Sequence, residues 1–194
     1  MISVYESTET DFTNNGIIVL SECITCSIIE DLNGQFELSL EYPVDDQGKF
    51  QYLIEDNIIK ADGQLFRIWD KDTTLSSRRI TAHHIFYDLI DNMIENVTIN
   101  NQNGAGALET VLSHTQFSHS FTSLSDISNT SVNQSFIQRN PVDCIMGATN
   151  SIISGYGGEL VRNNFEVFDD SERRGQKCGY KLWKGHHWNR RNIR

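Results

Sequence analysis

A chain of 194 residues, 38% hydrophobic and 22% charged, has room for one large domain or two small ones, and its two prolines and 13 glycines exclude a collagenous or proline-rich linker protein. Residues 1–170 carry eight basic against 25 acidic residues, net −17, whereas 171–194 carry eight basic residues against Glu172 alone, net +7. So acidic a body repels phosphate and disfavours nucleic-acid binding by the folded part, and leaves the basic end as a separate feature.

In chain order, the first ninety-odd residues read as short strands between turn signals. Ile17–Leu20 and Cys23–Ile29 are β-branched and apolar, and the Asn33-Gly34 pair that follows is a hairpin signal. Gln35–Tyr42 alternates polar and apolar, which predicts a half-buried strand with Phe36, Leu38, Leu40 and Tyr42 inward. Asn57–Lys60, Gln64–Trp69 and Arg78–His84 continue the strands, with Ala61-Asp62-Gly63 as a tight turn. This spacing suits a small antiparallel barrel or sandwich.

The period then changes. Phe86, Leu89, Ile90, Met93 and Ile94 recur at helical spacing, which predicts an amphipathic helix closing the strand-rich unit, and polar Asn96–Asn103 reads as a connector. Ala107, Leu108, Val111 and Leu112 predict a second helix over 105–114. Asn140, Pro141 and Asp143 supply an N-cap, a proline at the first helical position and an acid in the first turn. From there Val142, Ile145, Met146, Thr149, Ile152 and Ile153 predict one long helix, ended by Gly155, Gly157 and Gly158. Glu159–Arg162 and Phe165–Phe168 flank Asn163-Asn164 as a hairpin, and strands are expected near 117–124 and 131–138. The second half is therefore a small α+β unit.

Candidate chemistry is thin. Cys23 and Cys26 have the spacing of half a metal site, but no second CxxC or HxxxH partner exists, and residues three apart on a strand face opposite sides. The four scattered cysteines fit a reducing compartment better than a disulfide scaffold. His83-His84 on a strand reads as structural, and His114 and His119 flank a loop without a nearby cysteine. Asp45-Asp46 could pair as acids; Asp88, Asp91 and Glu95 read as a solvated helix face. Gly155-Tyr156-Gly157-Gly158 follows a helix and precedes a strand, the wrong order for cradling phosphate, and no GxSxG, HExxH or Walker loop occurs. Asn96-Val97-Thr98 and Asn129-Thr130-Ser131 match glycosylation acceptors, which matter only on a secretory route. No window approaches 18 uninterrupted apolar residues, and the acidic start MISVYESTETDF lacks a signal segment, so neither a membrane span nor a secretory leader is expected. No catalytic, cofactor-binding or metal-ligating residue is assigned, and no cofactor is expected.

Three stretches carry a resemblance: L-N-G-Q-F-E-L-S-L-E-Y-P (32–43), I-I-K-A-D-G-Q-L-F-R-I-W (58–69) and I-T-A-H-H-I-F-Y-D-L (80–89), with N-G-A-G-A-L before the helix at 103–114. From about residue 1 to 170 the chain resembles the amino-terminal region of phage and prophage tail-tip hub proteins. This family is also called phage minor structural protein, prophage tail endopeptidase or tail-associated lysin. The resemblance implies an α+β fold: an antiparallel β-barrel-like tube domain over 1–96 ending in a helix, then a small inserted α+β domain over 97–170, as in phage baseplate hub proteins. It further implies a non-enzymatic virion component that docks to the distal tail ring, works beside the tape measure protein and helps form the tail conduit. Homotrimers are implied for full-length relatives, and localisation in the virion tail after assembly in the bacterial cytoplasm. No catalytic residue carries over, since lytic modules of such proteins lie downstream.

Residues 171–194 depart from that pattern. The family continues with a Y-G-K-[DN]-[IL]-x-G-I-E type segment, where this chain reads C-G-Y-K-L-W-K-G-H-H-W-N-R-R over 178–191. Written in AT-rich codons and read one base later, that stretch gives A-V-I-N-Y-G-K-D-I-T-G-I-E-E. The expectation is a reading frame that slips near Gln176-Lys177, truncating the family copy and making the basic tail out-of-frame translation. Two other functions compete: a fragment of a tail-associated cell-wall peptidase, and a binder of nucleic acid or an acidic partner through the basic residues interleaved with Trp183 and Trp188.

Overall fold

The computed structural model describes residues 1–128, 132–147 and 149–170, together with the backbone of 179–184 and 187–192. These residues fall into two compact units. The first comprises Met1–Asp31, Gln35–Ile85 and Lys177–Arg194, and the second Leu32–Gly34 and Phe86–Gln176.

Seven strands run through the first ninety residues: β1 (Ile2–Tyr5), β2 (Ile18–Leu20), β3 (Thr25–Glu30), β4 (Phe36–Pro43), β5 (Ile58–Ala61), β6 (Gln64–Thr73) and β7 (Ser77–His84). Their spatial order is β3-β4-β7-β6-β5-β1-β2, antiparallel throughout. Alternation along β4 is as read from the sequence: Phe36, Leu38, Leu40 and Tyr42 are all buried, each contributing about 1.5–3 kcal/mol of burial. The β3–β4 turn places Asn33 at φ 50°, and the β5–β6 turn uses Asp62 and Gly63, both at positive φ. A register shift between Ile68 and Asp70 marks a bulge in β6, the kind of kink that adds twist, and the sheet is curled into a half-barrel. β1 escaped the sequence reading because Ile2-Ser3-Val4-Tyr5 is buried at every position and shows no alternation.

The second unit contains β8 (Ile94–Gln102), α1 (Gly104–Ser113), β9 (Thr122–Ser125), β10 (Val132–Arg139), α2 (Pro141–Met146), α3 (Ile152–Tyr156), β11 (Glu159–Asn163) and β12 (Glu166–Asp170). β8 and β10 pair antiparallel, while β11-β12-β9 forms a three-stranded sheet in which β12 and β9 run parallel. The core packs Leu108 and Val111 of α1 with Val97, Ile99 and Phe136 of the strands and Ile145 and Ile152 of the short helices. Two further strands, β13 (Gly179–Lys184) and β14 (His187–Asn192), form a hairpin whose first strand pairs with β3, extending the first unit's sheet to nine.

Three elements differ from the sequence reading. Residues Ile85–Asp91 form a 3-10 segment, not an α-helix, and the expected connector is strand β8. Asn92 is responsible: its buried side chain accepts from the Met93 and Phe117 amides at 2.9 and 3.0 Å and donates to the Phe117 carbonyl at 2.8 Å, which offers the backbone an alternative to the helix. The buried residues of this stretch, Phe86, Leu89 and Ile94, join the second unit's core, and the compact units part between Ile85 and Phe86. The long helix from Pro141 is broken into α2 and α3. At Gly147 the chain turns to ψ 157° with its Cα so close to the Asp143 carbonyl that a Cβ would lie 2.4 Å from that oxygen. Its predicted start holds: the Asn140 side chain accepts from the Asp143 amide at 2.8 Å.

Candidate functional site

The residue pairs weighed as metal or acid–base sites are engaged in structure. Cys26 is buried on β3, and Cys23 precedes it; both thiols are free, and burial pushes each pKa up, that of Cys23 to about 12, which keeps them protonated and unreactive. His84 is wholly buried, stacked on Phe36 at 4.3 Å with Nε2 3.1 Å from the side-chain Oε1 of Gln64. His83 faces the other side, stacked on the exposed Trp69 at 5.0 Å with Glu37 3.5 Å away. His114 Nδ1 lies 2.8 Å from the Thr110 carbonyl, and His119 Nε2 lies 3.0 Å from that of Leu112. Asp45 accepts from the Lys49 amide and the Tyr42 hydroxyl. Asp91 and Glu95 are exposed, with Asp88 half-buried, on the 3-10 segment and the start of β8. Among the described residues no group of three or more His, Cys, Asp or Glu side chains is arranged to hold a metal ion. A depression of about 400 Å³ in the first unit is lined by Ser3, Tyr5, Asn14, Lys60 and Asp62, and the Lys60 ammonium is spent on the Phe12 carbonyl at 2.6 Å.

The most elaborate polar arrangement lies in the second unit, and the sequence reading did not assemble it. Asn33 uses its whole amide on the backbone entering β11: Oδ1 accepts from the Leu160 amide at 2.6 Å and Nδ2 donates to the Gly158 carbonyl at 3.1 Å. Its neighbour Gly34 offers its carbonyl to the Tyr87 hydroxyl at 2.7 Å and to Arg162 Nη1, which also donates to the Tyr87 oxygen at 3.0 Å. Arg162 is only 3% exposed. A buried guanidinium is costly unless hydrogen-bonded, so these contacts define one geometry for the Asn33-Gly34 turn. The residues come from segments 32–43 and 80–89, the Gly155–Gly158 stretch and the hairpin strand Glu159–Arg162, each noted separately. Nothing in their spacing announces that they meet, because the clamp is made by long-range contacts.

Beside this clamp, the Gly155-Tyr156-Gly157-Gly158 stretch ends α3. Gly157 and Gly158 adopt φ 78° and 92°, and the Tyr156 hydroxyl donates to the Gln102 carbonyl at 2.9 Å. Against Gly158 lies Asp169, completely buried, with neither carboxylate oxygen hydrogen-bonded. Burial first, then the nearby Asp126 and Asp170, push its pKa up to about 7. The arrangement offers turn-holding and proton binding; no nucleophile–base pair is built here. Residues 171–178, where the frame slip is expected, lie outside the described residues, as does the 129–131 acceptor sequence. Of the basic tail only strand backbone is described, and backbone pairing is open to almost any side chains.

A curled antiparallel sheet is thus followed by a small α+β unit that holds a buried polar clamp. Residues 4–84 match the family described as the prophage endopeptidase tail N-terminal domain. Its fold is similar to three solved structures. The prophage tail protein gp18 from Listeria monocytogenes EGD-e aligns with a TM-score of 0.66 at 18% identity, covering 87% of this chain and 50% of that one. The tail protein from Neisseria meningitidis MC58 aligns at 0.58 and 10% identity, covering 87% and 49%. The 43 kDa tail protein of prophage MuSo2 from Shewanella oneidensis aligns at 0.57 and 12% identity, covering 86% and 51%. The chain thus spans about half the length of these structures. Comparison with curated proteins gives no match. Among the described residues no helix is long and apolar enough to cross a membrane.

Proposed function

We propose that this chain is a structural, non-enzymatic part of a phage tail-tip or baseplate hub, docking to the distal tail ring and helping to form the tail conduit. The observation that carries this reading is the family match over 4–84 on a curled antiparallel sheet, a fold similar to three tail proteins. In this reading 1–96 is the tube-type domain and 97–170 the inserted domain, and the tape measure protein and copies of the same hub are further neighbours in the virion tail. The polar clamp, whose groups are spent on holding backbone in place, favours scaffold work over peptidase chemistry. Assembly takes place in the bacterial cytoplasm, before the tail is complete.

The test is reconstitution with a distal tail ring protein from the same prophage. Co-elution on gel filtration, with the chain at the ring's end by negative-stain electron microscopy, is the expected result. Separate elution at concentrations of about 10 µM, weaker than typical stable interfaces, refutes docking by this chain. Alone, the chain is expected not to trimerise stably, and a robust trimer by light scattering contradicts that. Sequencing the DNA through the codons for Gln176–Arg194 tests the proposed frame slip. An open frame resuming A-V-I-N-Y-G-K-D-I-T-G-I-E-E supports it, and a frame that closes at once restores the basic tail as a binding element.

A further inference from the structure

We propose that Asp169 is a proton-controlled latch on the clamp around Asn33-Gly34: with its carboxyl neutral the Gly157-Gly158 turn seats and the clamp closes, and ionisation loosens both.

The inference starts from packing. Asp169 sits on the buried face of β12 with zero exposure, and both of its oxygens lack a hydrogen-bond partner among the described residues. A Cβ built on Gly158 would lie 2.2 Å from Asp169 Oδ1 and 2.9 Å from Ile127 Cδ1, so only a glycine hydrogen separates the carboxyl from the turn. The same Gly158 gives its carbonyl to Asn33 Nδ2, and Leu160, two residues on, gives its amide to Asn33 Oδ1. The carboxyl and the clamp therefore share one short piece of backbone. A displacement of that turn by the width of a water molecule breaks the clamp's hydrogen bonds.

The charged groups that act on the carboxyl most, Asp126 and Asp170, carry its own sign. Asp126 approaches from the segment after β9, its amide donating to the Asp169 main-chain carbonyl at 3.3 Å. Asp170 follows on β12, and across from it on β11 stands Glu159, one of whose carboxylate oxygens is also buried without a partner. The cation on the buried face of β11 is Arg162, whose Nη1 donates to the Gly34 carbonyl and the Tyr87 hydroxyl. An ionised Asp169 in this place has no hydrogen-bond donor among the described residues and must reach water, whereas the neutral acid can stay. The unfolded chain loses this proton near pH 4 and the folded unit near pH 7. Between those values the folded state holds the extra proton, so the latch contributes fully in acid and its contribution is lost as pH rises through 7.

The experiment uses the full 194-residue chain, with carbon-13 carboxyl shifts for the titration and hydrogen-exchange protection factors, normalised for intrinsic rates, for the clamp. The expected result is an Asp169 midpoint near pH 7 and roughly a tenfold fall in Leu160 amide protection from about pH 5.5 to 8.5, absent in Asp169→Asn. A midpoint in the ordinary carboxylate range, or an equal fall in Asp169→Asn, overturns the proposal. Should Asp169→Asn fail to fold, Asp126→Asn decides: removing this neighbouring charge lowers the Asp169 midpoint if the latch is as described, and an unmoved midpoint refutes it.

Discussion

The two units bury polar groups in opposite ways. In the first, the buried polar residues are Ser3, Asn57, Ser77 and His84, neutral or neutralisable groups set into an apolar sheet; Asn57, for example, donates to the Tyr52 carbonyl at 3.0 Å. In the second they include Arg162, whose Nη1 donates to the Gly34 carbonyl and the Tyr87 hydroxyl, and Asp169, whose carboxylate oxygens have no hydrogen-bond partner among the described residues. The first unit is thus held mainly by apolar area, which is tolerant of pH and salt. The second has an apolar core of its own and adds to it a few directional contacts, which are sensitive to both protonation and single substitutions.

That contrast can be broken most directly from the apolar side. Leu38→Ala, at a position with no exposure in the middle of β4, is expected to cost about 2–5 kcal/mol, read by denaturant unfolding with far-UV circular dichroism. Its effect should not vary between pH 5 and pH 8. Next comes Arg162→Ala, expected to cost about 3 kcal/mol, since the Gly34 carbonyl and Tyr87 hydroxyl lose charge-assisted partners. Amide exchange should rise at Leu160 and along β11 while β4 stays protected. If Leu38→Ala instead opened the second unit's amides equally, the two units would be one cooperative body and the contrast would fall.

How much of this was readable in the sequence follows the same division. Strands β4 to β7 were legible because Phe36, Leu38, Leu40 and Tyr42 alternate, and Asn33-Gly34 and Asp62-Gly63 punctuate them. Helix α1 was legible from Ala107, Leu108, Val111 and Leu112, and the start of α2 from Asn140, Pro141 and Asp143. The stretch after His84 misled because Phe86, Leu89 and Ile94 do fall at helical spacing, yet Asn92 spends its side chain on Met93 and Phe117 and stops the helix. The clamp was invisible for a different reason. Asn33 and Leu160 are 127 positions apart, and a single arginine in R-N-N-F carries no sign of being buried. Asp169 likewise reads as one more surface acid until the fold turns it inward.

Smaller effects sharpen the boundary between local and long-range stabilisation. Asn140→Ala removes the cap of α2, whose side chain accepts from the Asp143 amide at 2.8 Å, and is expected to cost about 1 kcal/mol in the second unit. Asn140→Asp should restore most of that, because an aspartate oxygen caps equally well and its charge suits a helix N-terminus. The smallest change is expected at the Lys71–Glu55 ion pair, whose N···O distance of 3.0 Å makes it the best-formed bridge between described exposed side chains of the first unit. Both groups keep much of their water, so Glu55→Gln should shift stability by less than about 0.5 kcal/mol at low salt and by nothing measurable at 1 M. A loss above 1 kcal/mol that salt does not erase would mean that directional polar contacts hold the first unit too, and that apolar area alone does not separate it from the second.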